Sequence, residues 1–484
     1  MSSADIAAVR AGRVARLGRV PAFLWLGIGV YALLLINGNP LLNDPDTYWH
    51  IAVGQWILDH GALPRVDIYS FTRAGEPWIS TSWLAQVLFA KAYDWAGWSG
   101  PVVLTALAGA ATFALLACYL GARIGEKYAL LAAVAALTLS ASHLLARPHV
   151  LVLPVMLAFV QGLLAASDAR KAPPVLLLPL LALWANLHGS FVLGLALIAP
   201  IALDALWNAD STGRVTLAMR WLAFGAAALA ASCVTPYGWG SLLAARKILD
   251  LGELLHLIDE WRPADFSRIT PLELALLGGL GAALHWRVRL SPPRILLLLG
   301  LIHMALAHVR NIEVLALLAP LVVITPLATQ FALQPPRSGN ANALLASVTG
   351  FAAMLALSCW AVAGGSRYAP PATASEQAAA EVLKAHHAGR VLNDMAVAGF
   401  LISRGVPVFI DGRAELYGEA FGLAYDHAVE LNDVDGFFNL LKTYDIDAVW
   451  LTPGTPASRL LDRMQGWRKV YSDDNAVIHV RTAE

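Results

Sequence analysis

Runs of about 20 apolar residues recur along the first three quarters of the chain and constrain its fold more than any other feature. A helix of that length spans the hydrocarbon core of a bilayer. Only 14% of the 484 residues are charged, against roughly 25% in an ordinary soluble domain. The pattern predicts a polytopic α-helical membrane protein with about 11 transmembrane helices. The windows are 21–38, 101–121, 127–145, 150–166, 174–188, 190–207, 216–234, 271–285, 294–308, 313–330 and 342–364.

Basic residues alternate between successive connecting loops, which predicts the orientation of the chain. Loops rich in Lys and Arg stay in the cytoplasm, so the N-terminus is expected inside and, after eleven spans, the C-terminus outside. The first window is expected to be a retained anchor, because no small-residue cleavage site follows it before Asn43. The basic loop residues are Arg10, Arg13, Arg16, Arg19, Arg123, Lys127, Arg170, Lys171, Arg214, Arg220, Arg287, Arg289, Arg294 and Arg337.

Two outer segments are too long to be simple connections. The first outer loop, residues 39–100, completes a membrane domain that we expect over residues 1–365. The tail, residues 366–484, alternates helix and strand patterns and predicts a compact soluble α/β domain, large enough to fold independently. Its predicted helices are 374–386, 396–403, 414–430 and 434–444, and its predicted strands are 389–393, 406–410, 446–451, 467–472 and 475–481.

A helix begins early in the first outer loop. Asp44 suits its N-cap, Pro45 its first position and Gly61 its end. Asp46 and His50 lie four residues apart and therefore share one face of this helix.

Tryptophans are concentrated in the same loop, which also contains a second predicted helix at about 82–95. Indole rings settle at the membrane–water interface, so the pattern favours helices lying flat in that interface, with the tryptophans as anchors and, secondarily, as sugar-stacking surfaces. The six residues are Trp49, Trp56, Trp78, Trp83, Trp95 and Trp98.

The other outer loops are short and polar, whereas we read the cytoplasmic loops as carrying only basic residues, Pro and Gly. Ionisable groups within the hydrocarbon cost a few kcal/mol each, so clusters of them line cavities. Several outer segments supply such groups to one side, which predicts a single cavity that opens outward. The polar positions are Arg147, His149, Asn186, His188, Glu260, Arg262, His308, Arg310 and Asn311.

An acidic pair after the first membrane helix, many spans and an outer soluble domain together resemble the GT-C superfamily of membrane glycosyltransferases. Asp44-Pro45 is similar to the first-loop motif of oligosaccharyltransferases, and the pair Asp44 and Asp46 is similar to the Asp-Glu motif of protein O-mannosyltransferases, although Pro45 separates the acids. Residues 408–418, VFIDGRAELYG, resemble the tail of uncharacterised bacterial members. The superfamily also includes lipid A aminoarabinose transferases.

The resemblance implies an enzyme of the bacterial inner membrane with a periplasmic tail. It would move a sugar from a polyprenyl-phosphate or diphosphate carrier to an extracytoplasmic lipid, polysaccharide or protein. Such transfer needs a carboxylate that takes the acceptor proton and cationic groups where the leaving phosphate gains charge. Asp44 and Asp46 are the catalytic candidates, with Asp44 preferred. The candidates for binding phosphate or substrate are His50, Arg147, His149, His188, Glu260, Arg262 and Arg310.

Structural interpretations of the same residues stay open. Asp44 fits an N-cap role alone, the arginines fit snorkelling to lipid headgroups, and Glu260 and Arg262 fit a pair with each other. Asp411 and Arg413 fit a turn after a strand better than a role in the chemistry. The two loop acids also fit a divalent cation, Mg²⁺ or Mn²⁺, which the mechanism does not require.

Other functions are compatible with the pattern. A polymerase or ligase of lipid-linked glycans would share the fold. A lipid or glycan transporter would lack catalysis, but it predicts an inverted repeat of broken helices, and the sequence shows none. A non-catalytic assembly protein would leave glycans unaltered when the acids are changed. No feature of the sequence suggests nucleic-acid binding.

The orientation is testable with a reporter that is active only outside the cytoplasm. Fused after Glu484, it should be active, because the alternating basic loops place residues 366–484 outside. Labelling of Asn393 or Asp433 from the cytoplasmic side would overturn the orientation.

Overall fold

The computed structural model describes residues 21–333, 343–364 and 367–482. Each of the eleven apolar windows contains a helix. These helices are α1 (Ala22–Ile36), α5 (Ser99–Ile124), α6 (Glu126–Ser140), α7 (Pro148–Asp168), α8 (Leu177–Leu187), α9 (Phe191–Trp207), α10 (Arg214–Ser232), α12 (Pro271–His285), α13 (Pro292–Ala307), α14 (Ile312–Gln330) and α15 (Ala343–Ala363). Outside the windows, α11 (Gly240–Leu249) lies between α10 and α12.

Within the described ranges, four helices are long and apolar enough to cross a membrane, judged by length and composition alone: Ser99–Ile124, Pro148–Asp168, Arg214–Ser232 and Val309–Gln330. Most of the others are shorter apolar helices. A multi-pass membrane protein is therefore supported, while the count of about 11 spans and the orientation stay predictions. The basic residues Arg10, Arg13, Arg16, Arg19 and Arg337 lie outside the described residues.

The first outer loop contains a four-residue helical turn, α2 (Gly38–Leu41), and the two predicted helices, α3 (Asp46–His60) and α4 (Trp83–Ala96). They pack closely, because a Cβ at Gly54 of α3 would overlap the carbonyl of Gln86 in α4. As predicted, α3 ends at Gly61, whose φ of 59° is a left-handed conformation that suits glycine.

The tail contains the four predicted helices, α16 (Thr373–Ala385), α17 (Met395–Ser403), α18 (Ala414–Val429) and α19 (Val434–Thr443). The sequence analysis missed a fifth, α20 (Pro456–Leu461). Four strands form one sheet in the order β1-β2-β4-β3, with β1 and β2 parallel and the other pairs antiparallel. They are β1 (Val391–Asn393), β2 (Ala448–Leu451), β3 (Trp467–Ser472) and β4 (Val477–Arg481).

The predicted strand 406–410 is not part of this sheet's regular ladder. Val408 instead makes isolated parallel bridges to Val391 of β1 and to Ser70 of the first outer loop. This segment therefore lies between β1 of the tail and the first outer loop. The apolar pattern of the sequence alone did not distinguish this arrangement from a fifth strand of the sheet.

One apolar core joins the first outer loop to the tail. Tyr48, Trp49 and Trp78 of the loop lie in the same buried cluster as Phe400 and Trp450 of the tail. Trp49 and Trp78 are only 7% and 4% exposed, so the prediction that they anchor the loop in the lipid interface is wrong for these two. Their indole rings fill the space between the loop and the tail.

A buried charge network crosses the same boundary. The Arg413 guanidinium donates to Asp411 through Nε at 2.8 Å and Nη2 at 2.6 Å, and to Asp67 of the first outer loop through Nη1 at 2.6 Å. Asp67 also accepts from the Ser70 hydroxyl at 2.6 Å. This network supports the structural interpretation of Asp411 and Arg413, and it links the first outer loop to the tail. Independent folding of the tail stays a prediction, and the tail shares a core and an ion pair with the loop.

A second buried network lies in the membrane domain, where the cytoplasmic loops were read as carrying only basic residues. Arg294 donates to Asp204 through Nε at 2.8 Å and also pairs with Asp168. The Ser167 hydroxyl donates to Asp204 at 2.8 Å. The description of these loop regions as free of acids is therefore wrong: Asp168 ends α7 and Asp204 lies near the end of α9.

Asp67→Ala should destabilise the protein by about 3–5 kcal/mol, because it leaves the buried Arg413 with one carboxylate fewer. The measurement is thermal unfolding in detergent. Asp59→Ala is the matched control: Asp59 is exposed in the same loop, and its replacement should cost less than about 0.5 kcal/mol. Equal melting temperatures for both variants would contradict the role of the network.

Candidate active site

Asp44 and Asp46 lie side by side at the start of α3. The regular helix begins at Asp46, one residue later than predicted, but Pro45 already has helical angles of −62° and −25°. The Asp44 carboxylate accepts the backbone N–H of Asp46 at 2.8 Å through Oδ1. The N-cap position itself is Pro45 and not Asp44 as predicted, but the Asp44 carboxylate still binds an N–H group at the helix start, and it uses only one of its two oxygens to do so.

Arg147 occupies the centre of the site. Pro148 is the first residue of α7 and holds Arg147 in an extended conformation, with φ −122° and ψ 156°. The segment before it is bound to the first outer loop, since the Ala146 N–H donates to the Leu41 carbonyl at 2.7 Å and the Thr47 hydroxyl donates to the Ala146 carbonyl at 3.1 Å. These backbone contacts place the Arg147 guanidinium next to the start of α3.

The Arg147 guanidinium binds three carboxylates. Nε lies 2.8 Å from Asp44 Oδ2, Nη2 pairs with Asp46, and Nη1 lies 2.8 Å from Glu260 Oε2. We call these four residues the carboxylate–arginine cluster. Its members come from three outer segments, as expected for one shared site.

Arg310 extends the cluster. Its Nη1 donates to Glu260 Oε1 at 3.1 Å, and its guanidinium lies 4.5 Å from the ring centroid of Trp261. Glu260 therefore bridges two arginines. The predicted pairing of Glu260 with Arg262 is wrong: Arg262 pairs with Asp259 at 2.8 Å and is largely exposed, because it points away from the cluster.

The three predicted histidines are bound by residues outside the carboxylate–arginine cluster. His50 is buried against Gln86, His149 Nε2 lies 2.8 Å from the His143 carbonyl, and His188 Nδ1 lies 2.9 Å from the Ser190 hydroxyl. The rings of His149 and His188 are 6.4 Å apart. Burial lowers the pKa of His50 to about 3, so this ring is neutral at physiological pH and acts as a hydrogen-bonding group.

Burial and the guanidinium set the ionisation of the two loop acids. Burial raises the pKa of Asp44 to about 7, against the opposing effect of Arg147. Burial also acts on Asp46, but the Arg147 guanidinium holds the pKa of that carboxyl below its ordinary value. Asp46 is therefore the ionised member of the pair across the physiological range.

A cavity of about 370 Å³ opens beside the cluster. Asp46, Arg147, Glu260 and Arg310 line one side of it, whereas Asp44 does not reach it. The apolar side chains Ile248, Leu251, Leu255 and Ile258 line another side, and tail residues that include Met395, Gly412 and Glu415 complete it.

Sequence reasoning missed two parts of this site. The first is the tail wall, because residues about 350 to 370 positions from Asp46 in the chain show no periodic relation to it. The second is Glu313, which is 3% exposed and lies 3.9 Å from His149 Nε2 through Oε2. An acid directly after the polar His308–Asn311 loop was a usable signal for Glu313.

Among the residues that the structure describes, no group of three or more His, Cys, Asp or Glu side chains is arranged to hold a metal ion. Asp44 and Asp46 instead share the Arg147 guanidinium. Binding of a divalent cation by these two acids stays a prediction.

Arg147→Gln should lower the melting temperature, because it leaves three carboxylates without their shared cation, at a cost of about 3–5 kcal/mol. Without the guanidinium, burial raises the pKa values of the three carboxyl groups in the folded state, so their ionisation opposes folding. The loss of stability relative to wild type should therefore grow as the pH rises from 5 to 8. Arg262→Gln is the control and should unfold like the wild type at both pH values. A loss of stability that shrinks as the pH rises would contradict the role of Arg147 as the shared cation of the three carboxylates.

Comparisons with known proteins bear on the fold. No protein-family model and no curated protein matches the sequence. The structure of an oligosaccharyltransferase from Archaeoglobus fulgidus in its apo form is similar, with a TM-score of 0.53 and 11% identity, over 88% of this chain and 69% of that chain.

ArnT from Cupriavidus metallidurans is also similar in its apo state, with a TM-score of 0.49 and 14% identity over 97% of this chain and 98% of that one. For ArnT bound to undecaprenyl phosphate the TM-score is 0.34 at 15% identity, over 95% and 97%. The similarity to the oligosaccharyltransferase shows a shared fold: the chain has the architecture of that structure, as the resemblance of its first outer loop and tail leads us to expect.

Proposed function

We propose that this protein is a membrane glycosyltransferase that moves a sugar from a polyprenyl-phosphate or diphosphate carrier to an acceptor outside the cytoplasm. The observation that carries the proposal is that Asp46, Arg147 and Arg310 line one cavity together, with Arg147 bound to Asp46 and Glu260 bound to both arginines. An ionised carboxylate and two guanidinium groups supply both the base and the phosphate-binding groups that such a transfer needs.

Asp46 is the general base in this proposal. It reaches the cavity, whereas Asp44 does not, and the low pKa of its carboxyl keeps it ionised. Asp44 then has a positioning role: it accepts the Asp46 N–H and holds Arg147 Nε. The sequence analysis preferred Asp44, and the order of the two acids in the chain does not indicate which of them lines the cavity.

The reaction proceeds by direct displacement. The acceptor oxygen attacks the anomeric carbon from the face opposite the phosphate, so a new glycosidic bond forms as the bond from carbon to phosphate oxygen breaks, with inversion. The acceptor proton passes to Asp46, and the carrier phosphate leaves with the bonding electron pair. Arg147 and Arg310 stabilise the charge that develops on this phosphate.

The remaining walls suit the two ends of a lipid-linked donor. The apolar wall formed by Ile248, Leu251, Leu255 and Ile258 can cover the hydrocarbon nearest the phosphate, since apolar surface removed from water stabilises binding by roughly 25 cal/mol per Å². The polar tail wall faces the sugar. In a cell the acceptor would be an envelope lipid, glycan or protein on the periplasmic face of the inner membrane.

Deletion of the gene should remove one sugar from a single class of envelope molecule, measured by mass spectrometry of glycolipids, polysaccharides and glycoproteins. In purified protein with that acceptor, Asp46→Asn should slow transfer by about two to four decades, because the base is lost with little change in volume. Asp44→Asn should cost less, about tenfold, because Asn retains the capping hydrogen bond.

Asp59→Asn is the matched control. It removes an exposed carboxylate from the last turn of the same helix and should leave transfer unchanged. Wild-type rates in the Asp46→Asn variant, at equal melting temperature, would remove the carboxylate mechanism. Unchanged envelope glycans after deletion would remove the proposed function itself.

A further inference from the structure

A short tail segment, residues 411–415, lies directly against the proposed base. We call it the tail loop; it has the sequence DGRAE. A Cβ at Gly412 would overlap the carboxylate of Asp46, so only a glycine fits at this point of contact without a shift. The same helix of the membrane domain is contacted again by α17, where a Cβ at Gly399 would overlap the Pro45 carbonyl. The tail and the start of α3 are therefore in backbone contact.

The tail loop is held firmly in this position. Arg413 is 1% exposed and binds Asp411 within the loop and Asp67 outside it. The Tyr417 hydroxyl donates to Asp411 at 2.9 Å. Buried groups with several charged partners have few alternative arrangements, so the last residue of the tail loop, Glu415, has a fixed direction.

Glu415 lines the cavity from the tail side. The Trp78 indole N–H donates to its Oε1 at 3.3 Å, and Trp78 is fixed in turn by the Arg413 guanidinium 4.8 Å from its ring centroid. Within the described residues no Lys, Arg or His forms an ion pair with Glu415, and no other residue donates a hydrogen bond to its Oε2. The cavity therefore holds a carboxylate with unused acceptor capacity.

We propose that Glu415 binds hydroxyl groups of a saccharide in the cavity, so that the tail supplies a substrate contact. The proposal rests on the proposed function for the class of ligand. A carboxylate oxygen that faces a cavity without a cation is stabilised by donors from a ligand, and sugar hydroxyls are donors. The saccharide is either the sugar on the carrier or the acceptor, and both present this chemistry.

The test compares Glu415→Gln with wild type in lipid nanodiscs. Gln keeps the volume and an oxygen for the Trp78 N–H, while it replaces the second carboxyl oxygen, the acceptor that a sugar hydroxyl would use, with an NH₂ donor. The probes are undecaprenyl phosphate alone and the same lipid carrying a hexose, an N-acetylhexosamine or a pentose. Glu381→Gln is the control, because Glu381 is an exposed acid of α16 in the tail.

Two outcomes support the proposal and identify the saccharide. If Glu415 contacts the donor sugar, the variant binds the bare carrier like wild type but loses about tenfold in affinity for the preferred glycosylated carrier. If Glu415 contacts the acceptor, the variant binds the bare and the glycosylated carrier like wild type. Its KM for the acceptor, identified beforehand by mass spectrometry of the deletion strain, then rises about tenfold. The control should match wild type in every measurement.

One outcome overturns the proposal: wild-type affinity for every lipid and a wild-type KM for the acceptor in Glu415→Gln. This failure is distinct from failure of the proposed function, in which the wild-type protein itself would show no preference for a glycosylated carrier and no transfer.

Discussion

A buried guanidinium requires carboxylate partners, and Arg147 takes them from two other outer segments of the chain. Asp44 and Asp46 come from the start of α3, and Glu260 comes from the segment before α12. Removing one partner from such a group costs several kcal/mol, because the charge that remains is poorly solvated. The start of α3, the start of α7 and the 259–261 turn are therefore fixed relative to one another, and Glu260 passes this constraint on to Arg310.

A second guanidinium fixes the other side of the cavity in the same way. Arg413 joins the tail to Asp67 of the first outer loop, and the indole rings of Trp49 and Trp78 fill the remaining space. The first outer loop is thus bound on one side to the helix bundle and on the other to the tail. The charged side and the tail side of the cavity are both positioned through this one loop, and several of its aromatic residues are therefore buried.

Ionisation and position give the two neighbouring acids different properties. Asp44 is almost inaccessible, and burial raises the pKa of its carboxyl to about 7. Asp46 faces the cavity and is kept ionised by Arg147. Two carboxylates two residues apart therefore differ in exposure and in ionisation. In the proposed reaction, a phosphate bound to Arg147 would weaken the interaction of Arg147 with Asp46 and raise the basicity of the Asp46 carboxylate, so donor binding would activate the proposed base.

The sequence by itself determined the local elements. All eleven apolar windows contain helices, Gly61 ends α3, and the four tail helices lie within a residue or two of their predicted bounds, because periodicity and caps act over a few neighbouring residues. It also identified Asp46, Arg147, Glu260 and Arg310 as polar groups that meet at one site. Only the tertiary structure decided that Arg262 points away, that Asp46 and not Asp44 reaches the cavity, and that Glu415 forms part of its wall. These properties depend on contacts between segments up to about 370 residues apart in the chain, and the burial that sets them exists only once those segments have packed together.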